Sequence, residues 1–245
     1  LMSLEFEELD FRPTPKGDLT LRRRRLRSLD NREIHEVILG TGYLMSSLFT
    51  TVEIALADLG LALLPPDEGA LDVVVGGLGL GYTAQAALQD ERVRDLLVIE
   101  ALAPVIDWHQ RGLVPLGPEL CRDSRCRFLE GDFFAAAGSR FDPGTPGRLF
   151  HAVLLDIDHS PRNLIVEEHA GFYTAPGLSA LASQLHPGGV FAMWSDDPPD
   201  DEFLATLSAV FPGATAEVVD FPNPLLEQEG RSTVYLCQRP REGSE

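Results

Sequence analysis

Basic side chains are the first shortage. The chain carries 20 Lys and Arg against 38 Asp and Glu, a formal net charge of −18 over 245 residues. Such a surface repels phosphate backbones, which argues against nucleic-acid binding; it favours a cationic partner or simply keeps the chain in solution. Cysteine is scarce too. Cys121, Cys126 and Cys237 cannot build a disulfide framework, and the segment CRDSRC holds the first two too far apart for a Cys-x-x-Cys pair. No histidine cluster accompanies them, so no metal is expected, and reduced thiols in a cytoplasmic setting fit best. Long uncharged apolar runs are also missing. The most apolar stretch, 46–64, contains Glu53 and Asp58 and ends at Pro65-Pro66, so it reads as a buried helix, not a membrane span. Residues 1–12 are acidic and lack the apolar core of a secretory signal. What remains is an ordinary globular composition, 44% hydrophobic and 24% charged, at a length that suits one α/β core with an extra segment.

Patterning divides the chain. Residues 1–45 read as a small N-terminal β segment, with strands over 18–27 (DLTLRRRRLR) and 33–39 (EIHEVIL) and a turn at Asp30-Asn31. The run Arg22 to Arg25 suits a solvated strand edge. Residues 46–245 read as a Rossmann-like domain. A helix is expected over 46–64, and from Leu71 onward strands and helices alternate, which implies parallel strands joined by crossover helices. Strands are predicted over 71–75, 95–99, 126–129, 152–155 and 190–194, with 216–221 and 233–238 as a closing antiparallel pair. Helices are predicted over 82–89, 104–110, 177–185 and 201–211.

The segment VVVGGLGLG, 73–81, takes a strand into Gly77, Gly79 and Gly81 and then into a helix. Glycine permits the tight turn and lets a ligand approach the backbone. The helix start adds unpaired N–H donors that suit a carboxylate or a phosphate. The dinucleotide fingerprint G-x-G-x-x-G fails, because its third glycine would fall at Tyr82. The observed G-x-G-x-G is the form common in adenosylmethionine-binding domains. Two strand-end acids join it. Glu100 ends the second strand, where a carboxylate can accept both ribose hydroxyls, and Asp132 follows the third, where it could accept an adenine amino group.

The fourth strand ends in LLDIDHSP, 154–161. Asp156 is expected to point into the same crevice, with Asp158 and His159 on the loop after it. Clustered carboxylates hold a protonated amine, and one with a raised pKa can take its proton; histidine could serve likewise. The alternative is a loop in which Asp156 or Asp158 caps a turn shaped by Ser160-Pro161.

With these residues in order, the sequence resembles the spermidine synthases, the polyamine aminopropyltransferases. The likeness covers roughly residues 33–195 and takes in His35-Glu36, the glycine turn, Glu100, Gly131-Asp132, Asp156, Phe172-Tyr173 and Pro187-Gly188-Gly189. It implies a methyltransferase-like fold with a seven-stranded, mostly parallel sheet, and a homodimer. It implies that Gly77, Gly79 and Gly81 line the nucleoside of decarboxylated adenosylmethionine, that Glu100 holds ribose and Asp132 adenine, and that Asp156 orients or deprotonates the attacking amine. Glu36, with His35 beside it, becomes a contact for the far end of a polyamine. The family's glycine turn carries an aspartate where this chain has Leu80, and its Asp-x-x-Asp-Pro is here replaced by Asp156-Ile157-Asp158-His159-Ser160-Pro161. Three functions stand open on the residues: aminopropyl transfer to a cationic amine, methyl transfer from intact adenosylmethionine, and nucleoside binding without catalysis.

Overall fold

The computed structural model describes residues 5–225 and 228–241. The N-terminal strands form an antiparallel sheet in the order β1-β2-β3-β4, with β1 (Phe6–Thr14), β2 (Gly17–Leu26), β3 (Arg32–Leu39) and β4 (Gly42–Ser46). The strands expected over 18–27 and 33–39 are β2 and β3. Between them Asp30 (φ 52°) and Asn31 (φ 60°) take the left-handed backbone that short polar side chains tolerate. Leu19, Leu21, Ile34 and Val37 are buried, while the arginines of β2 lie toward solvent or opposing acids. β1 and β4 lie beyond the sequence reading. β4 also corrects the expected helix. Residues 42–46 pair with β3 across a tight turn, so helix α1 begins at Thr51 (Thr51–Ala62), not at residue 46.

The rest alternates as expected: β5 (Leu71–Gly76), α2 (Tyr82–Gln89), β6 (Val93–Glu100), α3 (Ala103–Gln110), α4 (Gly117–Arg122), β7 (Cys126–Glu130), α5 (Phe133–Ala137), β8 (Phe150–Leu155), α6 (Ala175–Ala182), β9 (Leu185–Ser195), α7 (Asp201–Val210), β10 (Thr215–Asn223) and β11 (Gln228–Gln238). These strands make one seven-stranded sheet in the order β10-β11-β9-β8-β5-β6-β7. It is mostly parallel, with β11 antiparallel to both its neighbours. The short helices α4 and α5 carry too few turns for a periodic signal and are absent from the sequence reading.

Side-chain alternation on the sheet builds a core on each face. Val73, Val75, Leu96, Val98, Leu154 and Ala192 pack toward α1, α2 and α3. Val74, Leu97, Ile99, Val153, Leu155 and Phe191 pack toward α5, α6 and α7. The N-terminal sheet joins the first core through Leu19, Leu21 and Val37. β5 sits between β6 and β8, where the strand order reverses. Open α/β sheets hold ligands outside the carboxyl ends of the strands at such a point. Among the described residues, no helix is long and apolar enough to cross a membrane.

Candidate functional site

A cavity of about 420 Å³ opens along the carboxyl edge of the sheet. Its lining follows the strand order. Gly131 and Asp132 come from the end of β7, Glu100 from β6, the glycine turn from β5, Asp156 and His159 from β8, Trp194 from β9, Ser232 from β11 and Phe221 from β10. Glu53 of α1, Met45 of β4 and Lys16 at the β1–β2 turn line it as well.

The glycines of the turn do different jobs. Gly77 has φ 91°, and a Cβ there would lie 2.2 Å from the Asp156 carbonyl oxygen, so this position is demanded by packing. Gly79 has φ 52°, and the nearest atom to its absent Cβ is the flexible Met45 Sδ at 3.4 Å. Its backbone is the part of the turn most open to a ligand. Gly81 caps α2 above Leu120.

Glu100 is buried beneath this turn. Its Oε2 accepts the Leu78 N–H at 3.0 Å and its Oε1 the Leu102 N–H at 2.8 Å. Burial raises its pKa, against the pull of those N–H donors and of the Lys16 charge. A carboxylate oxygen has two lone pairs, so one used by a backbone N–H can still receive a hydroxyl. Asp132 Oδ1 accepts the Phe134 N–H at 2.8 Å, which makes this residue the N-cap of α5 as well as part of the cavity wall. Beside it the Phe134 ring stacks on the His169 imidazole, centroids 3.8 Å apart.

Asp156 and Glu53 both line this cavity. Thr83 Oγ1 donates to Asp156 Oδ2 at 3.0 Å. Burial drives the Asp156 carboxyl up to about 6, and the Thr83 hydrogen bond offsets only part of that rise. Burial, reinforced by the Asp156 charge, drives Glu53 up to about 8. Neither makes an ion pair with an arginine or lysine among the described residues. Two adjacent carboxyls without a counter-ion titrate as a pair and retain a proton near neutrality. Such a pair can receive a cation, and one member can accept its proton.

The other expected residues are dispersed. Asp158 is enclosed, its side chain fully buried, and lies outside the cavity wall. It accepts from Tyr173 Oη at 2.9 Å and from the Ile165 N–H at 2.8 Å, and His169 Nδ1 lies 3.0 Å away. These contacts tie the Asp158 loop to the segment Glu167–Gly171. His159 does reach the cavity, its ring edge-on to Trp194 at 6.3 Å. Glu36 does not. It is buried inside the N-terminal sheet, with Arg22 Nε at 2.6 Å and Arg24 Nη2 at 3.0 Å. His35 is likewise outside the wall, its N–H donating to Ser47 Oγ. Sequence reasoning missed Glu53 and Lys16. The available signals were an acid within an apolar helix and the chain's sole lysine.

Among the described residues, no group of three or more metal-ligating side chains converges. No protein-family model matches the sequence. Solved structures do match. A spermidine synthase from Thermotoga maritima superimposes with a TM-score of 0.68 at 15% identity, over 96% of this chain and 73% of that one. A spermidine synthase in complex with the transition-state analogue AdoDATO matches with the same TM-score, identity and coverage. Over nearly its whole length this chain therefore has the fold of the spermidine synthases, a methyltransferase-like sheet preceded by a small antiparallel one.

Proposed function

We propose that the protein is an aminopropyltransferase-like enzyme that moves an aminopropyl group from decarboxylated adenosylmethionine to an amine. The observation that carries this reading is the Glu53–Asp156 pair, two carboxyls without a counter-ion at the crevice of a spermidine-synthase fold. The AdoDATO complex of a structural neighbour supports the choice of co-substrate.

The residues fit that co-substrate. Gly79 offers bare backbone, Glu100 and Asp132 present carboxylates on the β6–β7 side, and the Phe134 face lies beside them. Leu80 is buried and apolar where the resemblance implies an acid for the donor amine. Glu53, on the facing helix, supplies a carboxyl to the same cavity and takes over that task. Asp156 then holds the acceptor nitrogen neutral and in line. In the reaction that nitrogen bonds to the methylene carbon next to the sulfonium, and the carbon–sulfur electron pair returns to sulfur. Methylthioadenosine leaves, and the surplus proton on nitrogen passes to Asp156. The sulfonium is already a good leaving group, so the protein's work is placement and proton acceptance.

The test is incubation of the purified protein with decarboxylated or intact adenosylmethionine and a panel of amines, with mass spectrometry of the nucleoside released. Methylthioadenosine with an aminopropylated amine is expected. Adenosylhomocysteine would replace this reading with methyl transfer. A nucleoside that binds and is not consumed would make the protein a binding module.

A further inference from the structure

The sheet order separates two halves of the cavity. On the β5–β6–β7 side lie the glycine turn, Glu100 and Asp132. On the β8–β9–β11–β10 side lie Trp194, Phe221, Asn223, Ser232 and, across from them, Phe49. Aromatic rings make up much of the wall of this second half. Phe49 and Phe221 meet edge to face at 6.1 Å, and His159 meets Trp194 at 6.3 Å. The Phe221 ring is seated over Gly230, its partner on β11, where a Cβ would come within 2.3 Å of the ring. Glycine thus makes room for this wall. Acids are few here. Glu53 and Asp156 lie at the inner end, and beyond them the only carboxylate lining this half of the cavity among the described residues is the exposed Asp196.

We propose that the acceptor is a primary amine with a single amino nitrogen and an apolar or aromatic tail, its nitrogen at Asp156 and its tail between Phe49, Trp194 and Phe221. This rests on the aminopropyl-transfer reading, which places the acceptor nitrogen at Asp156. A linear polyamine would carry a second ammonium into the aromatic half. Rings there offer only a cation–π contact, weaker than the water that the ammonium gives up. An apolar tail gains from the same desolvation.

The experiment uses calorimetry on the full chain, in two steps that separate this proposal from the reading beneath it. Methylthioadenosine is titrated alone. Then butylamine, phenethylamine, putrescine and spermidine are titrated with and without it. Phenethylamine is expected to bind at least about tenfold more tightly than putrescine, the scale of one buried ring against one desolvated ammonium. Phe221→Ala is expected to remove about tenfold of that affinity and to leave methylthioadenosine within about twofold. Phe49→Ala, on a different element, should do the same if the β10–β11 pair does not tolerate the first change. Tighter binding of putrescine or spermidine would overturn the proposal and leave nucleoside transfer standing. So would phenethylamine affinity indifferent to both phenylalanines. Binding of phenethylamine without any nucleoside affinity would uphold the aromatic chamber and overturn the transfer reading. No amine binding at all would overturn the proposal.

Discussion

The two ends of the seven-stranded sheet treat carboxylates in opposite ways. At the amino-terminal end Asp72, Asp95 and Asp142 surround Arg148, with Arg148 Nη2 2.5 Å from Asp95 and 3.2 Å from Asp72, and Nη1 3.0 Å from Asp142. Arg94 and Arg127 complete the lattice. The pKa values of Asp72 and Asp142 fall, because hydrogen bonds and charge from these arginines outweigh burial. At the carboxyl end Glu53, Asp156 and Glu100 rise, each chiefly through burial. One end is electrostatically finished by the chain itself. The other is left short of positive charge in a protein otherwise rich in internal ion pairs. That shortage is what a cationic ligand would satisfy.

Asp156 is where the two ends differ most. Asp156→Asn keeps the shape and the Thr83 hydrogen bond but removes the proton acceptor. Turnover is expected to fall by about 10²–10⁴-fold, the usual contribution of a positioned base. Methylthioadenosine affinity, read by calorimetry, should stay within about threefold, because the nucleoside half is untouched. Full turnover at saturating co-substrates would remove Asp156 from the chemistry.

Arg148→Ala tests the opposite end. It leaves three carboxylates facing one another with less positive charge between them. Denaturant unfolding should show a loss of about 2–3 kcal/mol, below the figure for a fully buried pair because these groups are partly exposed. Ligand binding at the far edge of the sheet should be unchanged. Equal losses of stability and nucleoside affinity would mean that the two ends are coupled.

The two ends also predict opposite pH responses. Glu53 and Asp156 have folded-state pKa values of about 8 and about 6 against ordinary values of 4.5 and 3.8. Between roughly pH 4 and pH 8 the folded chain therefore holds more protons than the unfolded chain, and stability falls as pH rises. Glu53→Gln should flatten this slope, seen as a higher Tm at pH 8 with little change at pH 5. Asp72 and Asp142 have lowered values, so their contribution is lost as pH drops through and below 3.8. A cation at the Glu53–Asp156 pair should release protons, measurable as a buffer-dependent heat of binding.

Much of this architecture was legible in the sequence because it rests on local chemistry. The run LDVVVG reads as a doubly buried strand, the GLGLG turn needs glycine at its left-handed positions, and the strand ends place Glu100 and Asp156 on one edge. What was not legible depends on long-range contact. Glu53 looked like one acid in a buried helix until α1 packed beside β8 and β9. Asp158 looked like a partner to Asp156, two residues away on the same segment. The loop instead turns it inward to His169 and Tyr173, whose position no spacing near Asp158 reveals. β4 was hidden because GYLMS has no alternating pattern of its own and takes its form from β3.

The smallest effect is expected at Glu36. Its place in the resemblance suggested a polyamine contact, yet its carboxylate already joins Arg22 and Arg24 within the N-terminal sheet. In that respect it belongs with the arginine lattice, not with the cavity. Glu36→Gln keeps one acceptor oxygen for the arginines and loses the charge. The expected cost is about 1.5 kcal/mol, the low end for a hydrogen bond to a charged group, because the amide oxygen still faces the arginines. Nucleoside and amine affinities should be unaltered, because Glu36 does not line the cavity. A selective loss of amine binding, with Tm unchanged, would move Glu36 from the structural set to the ligand set. It would also mean that the cavity extends past β4 when a ligand is bound, so that an acid paired by the chain's own arginines can still serve a cationic substrate.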